Sequence, residues 1–196
     1  MKKWLPLIVI AVIAIGIFRW GVGLNNTMVE KQETAKTQWA NVESAYQRRS
    51  DLIPNLVNTV KGYADFEKET LESVIQARAN ATKTTIDPSN ITPEQMAAFQ
   101  ESQNSLSGAL SRLMVVVEKY PDLKANQNFL ELQSQLEGTE NRINVERNRF
   151  NGLAKDYNVY IRKFPATVVA GFLNFDAMAL FQAAAGSENA PTVDFN

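Results

Sequence analysis

Glu137, Glu140 and Glu146, with Arg142, Arg147 and Arg149 threaded among them, form the densest group of side chains in this chain that could do chemistry. Carboxylates gathered on one helical face can work as acid and base or hold a hard cation. Arginines three and four residues away change that expectation, because such spacing makes ion pairs along a helix. A half-buried Glu–Arg network that fixes helix register is therefore expected, completed by Arg48, Arg49 and Arg78. The rival is an enzyme or ligand-binding bundle with a polar interior, which requires a cavity that leaves Glu140 or Glu146 unpaired. A second cluster is Asp51-Leu52-Ile53-Pro54-Asn55. Asp51 and Asn55 offer partner-binding groups at the far end of a bundle, or simply helix capping and turn chemistry.

Composition removes most other chemistry. There is no cysteine and no histidine, so no disulfide, thiolate nucleophile, Cys/His zinc site or Ser-His-Asp triad can form. Glycine-rich phosphate loops and nucleophile elbows are also missing from the sequence. No catalytic residue, cofactor or metal ligand is assigned. A net charge of −1 gives no basic face for nucleic acid.

The elements that position these groups read as helices throughout, and a length of 196 residues gives one domain beyond an N-terminal apolar segment. Val29, Gln32, Ala35, Trp39, Val42 and Tyr46 recur at gaps of three and four, which predicts a first helix over 25–49. Ser50 and Asp51 then offer N-cap oxygens and Pro54 a first-turn proline, predicting a second helix over 53–83 with Gly62 inside it. Thr84–Thr92 is a loop, and Thr92-Pro93-Glu94-Gln95 is a capping box that opens a third helix over 93–120. The fourth helix, 124–164, carries Phe129, Leu136, Ile143, Phe150, Tyr157 and Phe164 at intervals of seven, with Leu132, Thr139, Glu146, Leu153 and Tyr160 interleaved. That repeat predicts near-parallel packing in coiled-coil style. Trp39 and Tyr157 read as core residues, and Gly138 with Thr139 lies in mid-helix where a neighbour passes. The fold class is thus all-α: a transmembrane helix continuing into an antiparallel four-helix bundle, with an apolar C-terminal tail.

Trp4–Phe18 is uncharged but spans only ~22 Å as helix; continuing to Leu24 gives ~31 Å, enough for a bilayer core of about 30 Å. Arg19 lies near the end, where its guanidinium snorkels to the headgroups, and Trp4 and Trp20 suit the two interfaces. A cleaved signal peptide is the alternative, with Lys2 and Lys3 as n-region and Gly21-Val22-Gly23 as a weak cleavage site. The long apolar region and the crowding by Arg19 and Trp20 favour a retained single-pass anchor. Lys2, Lys3 and the terminal amine, set against Arg19, Lys31 and Lys36, favour a cytoplasmic N-terminus and an extracytoplasmic bundle at the inner membrane.

Residues 165–196 form the tail. Ala166–Ala185 carries Asp176 as its only charge and follows Arg162, Lys163, Phe164 and Pro165. If the short links reverse the chain, a fourth helix of ~55 Å overshoots a first helix of ~37 Å and returns to the membrane. Residues 162–185 then either lie on the bilayer as a second attachment or fold back as a lid on the bundle base. The seven-residue row of the fourth helix also extends past what the second and third helices cover by length, and a single-span anchor leaves bundles free to pack side by side, which together point to self-association.

Trp39–Ala81 (WANVESAYQRRSDLIPNLVNTVKGYADFEKETLESVIQARANA), Tyr120–Pro165 (with LEGTENRI at 136–143) and the ending APTVDF resemble the LemA family of bacterial membrane-anchored helical proteins. The likeness covers nearly the whole chain. It implies an anchor, an antiparallel helical bundle and no established enzymatic activity, and it assigns a chemical role to none of these residues. The function expected is a non-enzymatic scaffold or accessory protein at the cell envelope, meeting the lipid bilayer, other copies of itself and envelope proteins yet to be identified. A sensor of membrane stress, with a tail that detaches reversibly, is a third reading.

Overall fold

The computed structural model describes residues 4–62 and 67–182. The APTVDF ending and Ala64 of the expected second-helix stripe lie outside them. The chain is all-helical: α1 Leu5–Lys61, α2 Lys68–Lys83, α3 Pro93–Val117, a short turn α4 Pro121–Lys124, α5 Gln127–Arg162 and α6 Ala166–Leu173. The first third of α1 is long and apolar enough to cross a membrane, and none of that window is buried by the rest of the chain.

Beyond it, α1 buries two seven-residue rows: Met28, Ala35, Val42, Arg49 and Leu56, and Trp39, Tyr46, Ile53 and Val60. Met28, not Val29, heads the first row, and Val29 is exposed. α5 answers with Phe129, Leu136, Ile143, Phe150 and Tyr157, all buried. Phe164, the last of that spacing, falls past the helix end and is exposed. The two helices run antiparallel, since Lys31 meets Tyr160, Gln38 meets Glu146 and Arg49 meets Glu140. α2 and α3 form a second antiparallel pair, with Lys119 near Glu67 at one end and Gln103 on the Ala81 carbonyl at the other.

Two sequence expectations about α1 need correction. The helix does not stop at Arg49: Ser50, Asp51, Pro54 and Asn55 all lie inside it, and Gly62 is its C-cap, not an interior residue of a second helix. The expected second helix is therefore split, with 53–61 belonging to α1 and only Lys68–Lys83 forming α2. The physical reason is local. A proline inside a helix leaves the carbonyl four residues earlier without its donor, at a cost of ~3 kcal/mol. Here that carbonyl is Ser50 O, and Arg78 of α2 donates Nε–H to it at 2.8 Å. The buried rows also run through 49–60 without a phase shift, while Pro54 faces solvent.

Pro54 and Arg78 should consequently be coupled. Arg78→Ala is expected to cost about 1–3 kcal/mol by leaving the Ser50 carbonyl unsatisfied. In a Pro54→Ala background, where the backbone supplies the missing donor, most of that loss should vanish. A double-mutant cycle on urea unfolding checks it; additive effects would contradict the assignment.

The other boundaries follow their caps. Thr92 and Gln95 make a reciprocal capping box, and Asn126 Oδ1 accepts from Phe129 N–H at 3.1 Å to start α5. Because α1 continues to Lys61, its 25–61 portion matches α5 in length, ~55 Å against ~54 Å. The expected overshoot of the last long helix past the first therefore does not exist; α5 does outrun α2 and α3, and its seven-residue row is buried opposite α1.

Candidate functional site

The core is two apolar clusters, not one. The cluster nearer the apolar segment gathers Met28–Tyr46 of α1 with Ile143–Ile161 of α5 and Phe99 and Phe181. The other joins Ile53–Val60, α2, the second half of α3 and Phe129–Leu136. Between them lies a polar layer centred on Arg49, which occupies a core position in the Met28 row. Its guanidinium donates to Ser107 Oγ (3.0 Å), Glu140 Oε2 (2.8 Å) and Gln103 Oε1 (2.7 Å), and it stacks over the Tyr46 ring at 5.2 Å. Arg49 Nε is buried without a partner.

One layer nearer the apolar segment, Gln38 Nε2 donates to Glu146 Oε2 at 2.7 Å, and Arg142 lies 3.6 Å from the same carboxylate. Both glutamates that the ligand-site reading needed free are thus paired. Among the described residues, no group of acidic side chains is placed to hold a metal ion. Gly138 sits on the exposed side of α5, and an added Cβ there would meet nothing. Arg48 and Asp51 are exposed and line, with Glu43 and Gln47, an open groove of about 610 Å3 beside α2 whose floor includes Tyr46 and Phe99. Asp51 accepts from Gln47, and Asn55 is exposed with its carbonyl on the Thr59 hydroxyl. Since α1 runs on to Lys61, Asp51 and Asn55 stand inside the helix, ~15 and ~9 Å short of its end, and cap nothing there.

Of the two routes expected for 162–185, residues 175–182 take the fold-back, but reach along the bundle as far as Trp39. After α6, Asn174 takes a left-handed conformation (φ 57°) and residues 175–182 return along the bundle without helical structure. Side-chain amides hold this strap by its backbone. Asn158 bonds both N–H and C=O of Met178, at 2.9 and 2.8 Å. Asn151 does the same for Phe181, at 2.9 and 3.0 Å, and Ala179 N–H reaches the Ile91 carbonyl. The strap thereby inserts Phe181 against Trp39 (centroids 5.6 Å apart, stacked), with Phe99 and Phe150 edge-on to the same indole. Arg147 caps the Phe181 ring at 4.5 Å. Asn151 and Asn158, seven apart on one face of α5, were the signal available in the sequence.

Tyr157 ties the start of the strap, its hydroxyl donating to the Asp176 carbonyl at 2.9 Å. Burial, and secondarily the Asp176 charge, push this phenol up to about 12. The folded state keeps its proton while an unfolded tyrosine loses it near pH 10. The stability this contributes is therefore complete below pH 10 and lost as pH rises toward 12. Burial raises the Tyr46 phenol as well, so ultraviolet titration should show late tyrosinate from both, and Tyr157→Phe should shrink that late step and lessen the alkaline fall in stability.

At the other end, α6 lies beside Phe18, Gly21, Val22 and Asn25 of α1. Trp4, Arg19 and Trp20 are exposed along the apolar segment, and Arg162, Lys163 and Phe164 are exposed next to α6, with Pro165 half-buried as its N-cap. The membrane-interface residues expected from sequence thus fall into two groups, with α6 near Arg19 and Trp20 but not Trp4.

The LemA family model matches residues 38–195, from the polar layer through the strap and beyond. The chain belongs to the LemA family. Among similar proteins, Protein LemA of Metamycoplasma hominis is 28% identical over 173 residues, covering 88% of this chain and 75% of its own length. Magnetosome protein MamQ 2 of Paramagnetospirillum magneticum is 27% identical over 191 residues, covering 89% of this chain and 68% of its own. Magnetosome protein MamQ of Magnetospirillum gryphiswaldense is 27% identical over 177 residues, covering 80% and 64%. The LemA match begins at Gln38, so the apolar segment lies outside it and the Gln38–Glu146 and Arg49–Glu140 pairs lie inside.

Proposed function

We propose that this LemA-family protein is a non-catalytic, membrane-anchored scaffold or accessory protein that acts by protein–protein contact at the bacterial cell envelope. The observation that carries the reading is α1 itself: an exposed apolar segment passes without a break into the bundle and supplies its core rows. Such a helix couples the bundle to the bilayer rigidly, as a flexible linker would not. Pairing of Glu140 and Glu146 with Arg49 and Gln38 favours a structural use of the polar layers over catalysis. The relatives' names point the same way, since MamQ is named for a body, the magnetosome, and not for a reaction. Placement at the inner membrane with the bundle outside follows from the charge balance around the span. Partners are envelope proteins and other copies of this chain, for which the open groove lined by Glu43, Arg48 and Asp51 is an available face.

Photocrosslinking from Glu43, Arg48 and Asp51 positions in native membranes tests this. Discrete adducts at these positions, absent from exposed Asn148 on α5, are expected. Adducts at none of them, together with turnover or small-molecule binding by the purified protein, would overturn the reading.

A further inference from the structure

α6 presents an apolar face that the bundle does not use. Ala166 and Ala170 are buried, but Val168 is 63% and Phe172 88% exposed, and Phe164 just before the helix is 82% exposed. Leu173 is exposed as well, and the helix carries no charge. This face continues into the apolar segment of α1. A cleft of about 540 Å3 separates Phe18, Gly21 and Val22 on α1 from Val168, Phe172 and Leu173 on α6. Arg162 and Lys163 directly precede Phe164 in the chain, Arg19 directly follows Phe18, and no acidic residue occurs between Lys163 and Phe175.

We propose that α6 is a second membrane contact: a foot that seats Phe164, Val168, Phe172 and Leu173 among the acyl chains of the leaflet facing the bundle, with lipid filling the cleft. The inference rests on the anchored reading of α1. Depth supports lipid over a protein occupant. If the 20 residues from Leu5 to Leu24 cross the hydrocarbon core, α6, set beside Phe18–Asn25, lies within ~10 Å of its edge, the depth at which interfacial helices sit. Arg162 and Lys163, close after Tyr160, which meets Lys31 just past the span, then stand at the headgroup level, where cations meet anionic lipid. The strap holds the foot in place, since Tyr157, Asn158 and Asn151 fix the backbone that follows it.

The absence of native cysteine makes the test direct. Full-length protein carrying Phe172→Cys, Ile13→Cys or Asn141→Cys is labelled with an NBD fluorophore. It is reconstituted in phosphatidylcholine–phosphatidylglycerol vesicles containing lipid with a nitroxide on the acyl chain. Label at 172 should emit blue-shifted and lose intensity to the nitroxide as label at 13 does, whereas label at 141 on exposed α5 stays in water. Quenching at 13 with none at 172 would overturn the foot and leave the anchor intact. Quenching at neither would overturn the anchor and the foot together. Phe172 touches no core residue closely enough to bury it, and an unchanged melting curve verifies that each variant is folded.

Discussion

Trp39→Ala should be the most damaging single substitution in the bundle, costing roughly 3–5 kcal/mol. The indole is completely buried and meets three phenylalanine rings from α3, α5 and the strap. Each aromatic pair adds about 0.5–1.5 kcal/mol beyond its burial. Total stability of a domain is only about 5–15 kcal/mol, so the loss consumes much of it. The damage should be directional. With the stacking partner gone, Phe181 loses its seat, and hydrogen exchange at Met178–Gln182 should rise well before exchange in α2 and α3. Trp39→Phe should cost much less, because the indole N–H is buried without an acceptor and its removal relieves a penalty. Equal exchange across both apolar clusters in Trp39→Ala would contradict the division of the core.

Arg49→Ala is expected to cost about 2–4 kcal/mol, since it strips donors from Gln103 and Glu140 at once. Glu140 is partly exposed and recovers some hydration, which keeps the figure below that for a fully buried pair. Arg49→Lys should rescue little: an ammonium cannot fork to Ser107, Glu140 and Gln103 together. The informative comparison is the triple change Arg49→Leu, Gln103→Leu and Glu140→Leu, which fuses the two apolar clusters. Stability by urea unfolding should match or exceed the parent. Side-chain resonances in α5 should nevertheless broaden, because a uniform apolar seam no longer singles out one register.

These residues also show what could be read from the sequence. The α5 row and the Thr92 capping box were legible because each is a local pattern whose period or spacing is its own physical cause. Pro54 was not, because a proline in mid-helix depends on Arg78, a donor 24 residues away whose approach only the fold decides. Read from sequence alone, Pro54 marks a helix start; with its carbonyl satisfied it marks nothing. Arg49 reads in the sequence as part of a Glu–Arg network; its depth follows from the Met28 row, which Val29 beside Met28 masks. The strap left no periodic trace, since an extended segment held by asparagine amides buries only Met178 and Phe181 fully. Family membership sharpened the fold far more than the site, for which it supplies no chemistry.

The central claim is that the apolar start of α1 stays attached and fixes the bundle at the bilayer. Intact mass of the native protein, taken from membranes that have been washed with alkaline carbonate, tests it most directly. The expected result is a species that stays in the washed membranes and still carries Trp4–Leu24. A species shortened to begin near Asn25 and released into the wash would contradict it.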